Sequence, residues 1–190
     1  MGINISNTPL QLLPDIASQL MTGQYYPFRN VRANANTAVV ADTLYASPLL
    51  IPRNITVDRI AIDVQAAGAA GKLARLGIYY DGTNKYPGTL LLDAGTVAVD
   101  ATGVKTITIS QALPAGLYWG VMVSNGTPTV RAHNVATFAP LGLTATDFSA
   151  DRAMWSVSFT YAALPTPFTA SGSAANTTMF NVALRILTLD

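Results

Sequence analysis

The sequence predicts an all-β chain, a jelly-roll-like two-sheet antiparallel sandwich with an extended or short-helical N-terminal arm, and three observations carry that expectation. From residue 37 onward, apolar and polar residues alternate with a period near two, as on half-buried strands. Clusters of Gly, Pro, Asn and Asp interrupt the alternation at short intervals, as turns do. The usual residues of exposed helices are missing, because all 10 acidic residues are Asp and Lys is scarce beside Arg.

A chain of 190 residues is one domain's worth and buries most of the surface that its unfolded form exposes. Half of its residues are hydrophobic and only 11% are charged, against roughly 25% in an ordinary soluble domain. A neutral surface of this kind is one that neighbours or further copies cover. A net charge of +1 offers no electrostatic footprint for nucleic acid. No Cys is present, which removes disulfides, thiolate chemistry and Cys-based zinc sites. No basic and apolar leader opens the chain, and no apolar run approaches the roughly eighteen residues of a membrane span, so neither a secretory signal nor membrane insertion is expected.

Taken in order, residues 1–36 read as an arm and residues 37–190 as the sandwich. Pro14 and Asp15 are placed as at a helix start, with Ile16, Leu20 and Met21 on one side and Gly23 as a stop. Leu10, Leu12 and Leu13 precede them on a stretch too short for a core of its own. These six apolar residues are the expected docking surface of the arm. Ile55, Val57, Ile60, Ile62 and Val64 then alternate with polar neighbours, with a slip at Asp58-Arg59 that predicts a bulge. Leu73 to Tyr80 is followed by the Asp81-Gly82 turn, and Tyr86-Pro87-Gly88 launches Leu90-Leu91-Leu92. Further strands begin near Val104, Leu117, Thr129, Met154 and Phe180, parted by turns at Asp100–Gly103, Pro114–Gly116 and Asn125-Gly126. Residues 132–150 and 165–176 lack a period and read as long loops, which in compact domains are often binding loops. About eight strands at this spacing fit a sandwich better than a propeller or a helical repeat.

Catalysis lacks parts. The single His, His133, lies where a strand gives way to a loop and reads as a surface or hydrogen-bonding residue, since general-base and triad chemistry need partners that this chain does not supply. Gly68-Ala69-Ala70-Gly71-Lys72 fails as a phosphate loop, because Ala66 and Leu73 occupy the Gly and Ser/Thr positions; it reads as a flexible hairpin loop. Asp58, Asp63, Asp81, Asp93 and Asp100 are dispersed without a dense Asp-x-Asp loop, so no metal or cofactor is expected, and cross-strand pairing of Asp58 and Asp63 with Arg59 or Arg75 is. Trp119 and Trp155 read as core. Of the Tyr79-Tyr80 pair one ring faces outward, and Tyr80 and Tyr86, flanking the Asp81-Gly82 turn, are the expected outward contacts, with a sugar as the ligand that such rings stack on.

One longer stretch supports a family likeness. Leu44-Tyr45-Ala46-Ser47-Pro48-Leu49-Leu50-Ile51-Pro52, Val57-Asp58-Arg59-Ile60-Ala61, Leu76-Gly77-Ile78-Tyr79, Tyr86-Pro87-Gly88-Thr89-Leu90-Leu91-Leu92-Asp93-Ala94-Gly95 and Leu113-Pro114-Ala115-Gly116-Leu117-Tyr118-Trp119 together resemble the β-sandwich domains of tailed-bacteriophage virion proteins of the tail-fibre, head-fibre or decoration type. The resemblance covers roughly residues 40–130. It implies a non-enzymatic structural protein of the virion, assembled in the host cytoplasm as a symmetric oligomer, a homotrimer, with other capsid or tail proteins as partners and attachment through its N-terminal region. The alternative expectation is a carbohydrate-binding sandwich that recognises a host surface glycan; an enzyme such as a polysaccharide hydrolase ranks below both.

Overall fold

The computed structural model describes residues 20–27, 35–134, 141–144, 147–175 and 178–190. Strands β1 (Tyr25–Tyr26), β2 (Ala35–Ala38), β4 (Ile55–Ala66), β7 (Gly103–Leu113), β9 (Thr129–Asn134), β14 (Thr178–Phe180) and β15 (Ala183–Leu189) form one antiparallel sheet. Its path runs β1-β15-β4-β9-β14, with β7 on the other side of β4 and β2 on β9. The second sheet has the order β13-β12-β3-β8-β5-β6, built from β3 (Thr43–Ile51), β5 (Leu73–Asp81), β6 (Pro87–Ala98), β8 (Gly116–Ser124), β12 (Met154–Ser158) and β13 (Ser173–Ala175). A small ribbon pairs β10 (Leu143–Thr144) with β11 (Asp147–Asp151). The chain is thus the two-sheet antiparallel sandwich that its alternation predicts.

The inner faces of the two sheets meet in a core that includes Ile55, Val57, Ile60, Ile62 and Val64 of β4, Leu76 and Ile78 of β5, Tyr118 and Met122 of β8, and Leu184 and Ile186 of β15. The slip in β4 is a bulge: β15 pairs Arg185 with Arg59 and Ile186 with Val57, passing over Asp58. In a regular strand the three-residue step from Val57 to Ile60 would send the two apolar sets to opposite faces, and the bulge keeps them on one. The bulge also turns Asp58 toward Arg185, whose Nε donates to Oδ1 at 2.8 Å while its terminal nitrogen donates to Oδ2. That two-pronged hydrogen bond, helped by the charge of Arg59, holds the Asp58 carboxyl below the usual carboxylate range.

A second core lies on the outer face of the β3-β8-β5 sheet. Leu44, Ala46, Tyr79, Trp119, Val121 and Val123 point outward there and are buried under Leu164 and Phe168. The cover is an irregular strap, residues 159–172. Strands β3 and β8 are therefore buried on both sides, which is why Leu117 to Val123 reads as one nearly unbroken apolar run. The strap lies so close to β5 that a methyl group on Gly77 would overlap Leu164 Cδ1 and sit 2.5 Å from the Leu92 carbonyl oxygen.

Several sequence expectations change in the structure. The sandwich begins before residue 37: Tyr25-Tyr26 pairs with Arg185 and Leu184, and Leu20 is buried in the inter-sheet core. The helix expected from Pro14 falls on residues 1–19, outside those described; Leu20 and Met21 lead into a turn. Residues 67–72 are no hairpin loop, because they carry the chain from β4 in one sheet to β5 in the other. The 132–150 stretch contains the end of β9 and the β10–β11 ribbon, and His133 lies within β9 with no solvent exposure. Asp58 and Asp63 pair with Arg185 and Arg131, while Arg75 pairs with Asp93 at 2.7 Å; Arg59 is a secondary contact of Asp58 at 3.4 Å.

Two outcomes follow. Gly77→Ala should lower the free energy of unfolding by about 1–3 kcal/mol, the cost of overpacking a closed site, as read by denaturant titration; an unchanged midpoint would mean that the strap does not press on β5. Because the folded pKa of Asp58 is depressed, its ion pair stabilises above the unfolded carboxylate pKa of about 3.9 and is lost as pH falls through the folded value. Asp58→Asn should therefore lower the melting temperature at pH 7, with the difference from the parent shrinking as the pH is lowered below 4.

Candidate functional site

The strap that covers the second core is pinned mainly by polar groups from the sheet beneath it. Asp42 accepts from the Tyr161 N–H at 2.8 Å, and its carbonyl accepts from the Phe159 N–H at 2.9 Å. Asp93 accepts from Leu164 N–H at 3.1 Å while holding Arg75 and the Gly95 N–H. The Tyr79 hydroxyl donates to the Pro165 carbonyl, and the Phe168 N–H donates to the Gly88 carbonyl at 2.9 Å. Burial, reinforced by the nearby Asp93 charge, pushes the Tyr79 phenol well above its ordinary pKa, so it stays a donor.

The last pin is Tyr86. Its hydroxyl donates to Thr169 O at 2.6 Å and accepts from the Gly172 N–H at 2.9 Å. Its ring meets Phe168 at 5.6 Å and Trp155 at 4.9 Å between centroids, the latter at an interplanar angle of 65°. Gly172 has no room for a side chain, since a Cβ would lie 2.7 Å from the Tyr86 oxygen. Tyr86 is thus half-buried: its ring packs against the second cluster and its hydroxyl is engaged within the chain, while the ring also lines the pocket beside it.

Beside this corner opens a pocket of about 310 Å³ lined by Thr83, Asn84, Tyr86, Trp155, Ala170 and Ser171. Three parts of the chain meet there: the short 3₁₀ turn Thr83–Lys85 between β5 and β6, the exposed side of β12, and the end of the strap. Trp155 is half-buried rather than core, with its Nε1–H donating to the Lys85 carbonyl at 2.7 Å. Asn84 (φ 56°), Lys85 (φ 54°) and Ser171 (φ 64°) all hold left-handed backbone. That conformation is uncommon outside glycine and is found where surrounding structure enforces it, often at ligand clamps. Asp81 ties the turn down by accepting from Trp119 Nε1 at 3.0 Å and from Lys85 Nζ at 3.0 Å.

Tyr80 stands apart from this pocket. It is the exposed member of the Tyr79-Tyr80 pair, 45% exposed, and lies on the opposite face of β5 from Tyr79, leaning on Tyr118 with ring centroids 5.9 Å apart. The Asp81-Gly82 turn therefore separates Tyr80 and Tyr86 rather than joining them.

The residues expected on the arm divide in a similar way. Leu10, Leu12, Leu13 and Ile16 lie outside the described residues. Leu20 packs into the chain's own core beside Tyr26, Leu49 and Ile186, whereas Met21 is 63% exposed. The Gly23 N–H donates to Ile186 O, setting this turn against β15, where Leu187 is also exposed; Leu50, exposed on β3, lines the same hollow as Leu20. At this rim of the sandwich Leu50 lines the hollow, and Met21 and Leu187 are the exposed apolar residues that follow the lining residues Leu20 and Ile186 in the chain.

Among the described residues no three His, Cys, Asp or Glu side chains converge as a metal site would require. Among them also, no helix is long and apolar enough to cross a membrane. No protein-family model matches the sequence, and no match to it is found among curated proteins.

Sequence reasoning missed Thr83, Asn84 and Ser171. The available signal was Asn in a turn, the non-glycine residue that best tolerates left-handed backbone. Tyr86→Phe should cost about 1–3 kcal/mol in denaturant titration by stranding the Thr169 carbonyl and the Gly172 N–H, and should speed hydrogen exchange at Gly172; unaltered exchange would show that the strap is held by other contacts.

Proposed function

We propose that this protein is a structural component of a tailed-bacteriophage virion, a short fibre, spike or decorating unit that joins the particle through its N-terminal region. The observation that carries the reading is the exposure of Met21, Leu50 and Leu187 on the three segments that converge where the N-terminal segment meets the sandwich. Exposed apolar side chains grouped at a chain entry are a surface that a neighbouring protein covers. The likeness of residues 40–130 to virion sandwiches and the low surface charge support the same reading.

The partners in this reading are further copies of the chain, as a homotrimer, and a capsid or tail protein. Open sheet edges are poor candidates for those contacts. The β6 edge is interrupted by register shifts opposite β5 and by Gly95 at φ 92°. The β7 edge carries an inward-leaning Lys105 and a register shift beyond Thr108. Both are devices that keep sandwiches from adding strands without limit. Contacts through the rim and the arm fit a closed assembly better.

Mass spectrometry of purified particles tests the reading: this chain should be among their proteins, and its absence would refute the assignment. Hundreds of copies per particle would mean decoration, and a few or tens a fibre or spike. A chain lacking residues 1–19 keeps Leu20 and should stay folded while failing to join the particle. Met21→Ser with Leu187→Ser should reduce incorporation with little change in melting temperature.

A further inference from the structure

We infer that the Tyr86–Trp155 pocket is a binding site for a neutral saccharide. The inference stands apart from the particle-attachment reading, because the pocket shares no residue with the Met21–Leu50–Leu187 rim and belongs to the outer core rather than the inter-sheet one. Its volume of about 310 Å³ lies at the small end of ligand pockets, room for a sugar ring and part of a second.

The chemistry of the lining selects the ligand class. The two aromatic rings meet at 65°, forming a corner instead of a slot. Their polar atoms are turned into the protein, Trp155 Nε1 onto Lys85 O and the Tyr86 hydroxyl onto Thr169 and Gly172. What they offer a ligand is therefore carbon surface. A pyranose has C–H faces that fit such a corner, whereas a flat nucleobase prefers a parallel face or sandwich. Of the rest of the lining, Ala170 is apolar, and Thr83, Asn84 and Ser171 supply a carboxamide and two hydroxyls, groups that both donate and accept as sugar hydroxyls require. No charged residue lines the pocket, and the nearest cation, Lys85, is paired with Asp81. An anionic ligand would find nothing to neutralise it.

Backbone strain points the same way. Of the four described non-glycine residues with positive φ, three are Asn84, Lys85 and Ser171. Concentrating them around one pocket costs stability that the fold does not need for covering the second core, as Leu164 and Phe168 do that. Held left-handed, Asn84 and Ser171 both line the opening, one from the 3₁₀ turn and one from the strap.

The experiment uses the full chain on an array of neutral hexose- and N-acetylhexosamine-containing oligosaccharides, with solution titration of any positive glycan followed by tryptophan fluorescence, to which Trp155 responds and the buried Trp119 does not. The parent should bind at least one class. The double variant Asn84→Gly with Ser171→Gly should lose about tenfold or more in affinity, the scale of one or two neutral hydrogen bonds. Its melting temperature should be equal or higher, because glycine adopts positive φ freely. Trp155→Ala should abolish binding, and circular dichroism tells loss of the site from loss of the fold. No binding by the parent, equal binding by the double glycine variant, or a preference for nucleosides or for sialylated or phosphorylated glycans would each overturn the inference, and none of these outcomes bears on whether the chain is found in particles.

Discussion

The outer face of the β3-β8-β5 sheet is apolar, and much of this structure follows from the need to cover it. Tyr79, Trp119, Val121 and Val123 would otherwise meet water on a sheet whose other face is already committed to the inter-sheet core. A third strand layer would solve the problem with a ladder of hydrogen bonds. This chain uses an irregular strap, so the backbone polar groups of the strap have to be satisfied one at a time. That is why Asp93 and Tyr79 on the sheet, and Asp42 and Tyr86 on the turns beside it, each hold particular strap groups.

The few charges of this chain are likewise used on particular groups within the fold. Asp93 serves Arg75, Gly95 and Leu164 at once; Asp81 serves Trp119 and Lys85; Asp58 takes both prongs of Arg185. Asp is short, and its carboxylate stays close to the backbone it must satisfy, where Glu would spend rotamer freedom to reach the same groups. An acidic set made only of Asp is thus in keeping with carboxylates that build the fold rather than solvate its surface.

Where the strap ends, the covering layer leaves a notch between Trp155 and the 3₁₀ turn, and the proposed saccharide site occupies it. Where the chain enters, the sandwich takes Leu20 into its own core and leaves Met21 exposed, with Leu50 and Leu187 exposed on the segments that converge there, which is where the proposed attachment surface lies. One feature faces a small polar ligand and the other an apolar protein surface, so the two proposed roles place no conflicting demands on the same residues.

The all-β class and the bulge at Asp58 were legible in the sequence, because strand alternation is local: each residue's face is set by its neighbours two positions away. Partners across the fold were not. Whether residues 67–72 close a hairpin or cross between sheets depends on which strand β4 pairs with, and it pairs with β15, over a hundred residues away. The burial of Leu20 and the pinning of the Tyr86 hydroxyl likewise depend on segments remote in the chain. The pocket is the extreme case, since Asn84, Trp155 and Ser171 come from three separate segments and only the tertiary structure, by laying the strap over the second core, brings them to one opening.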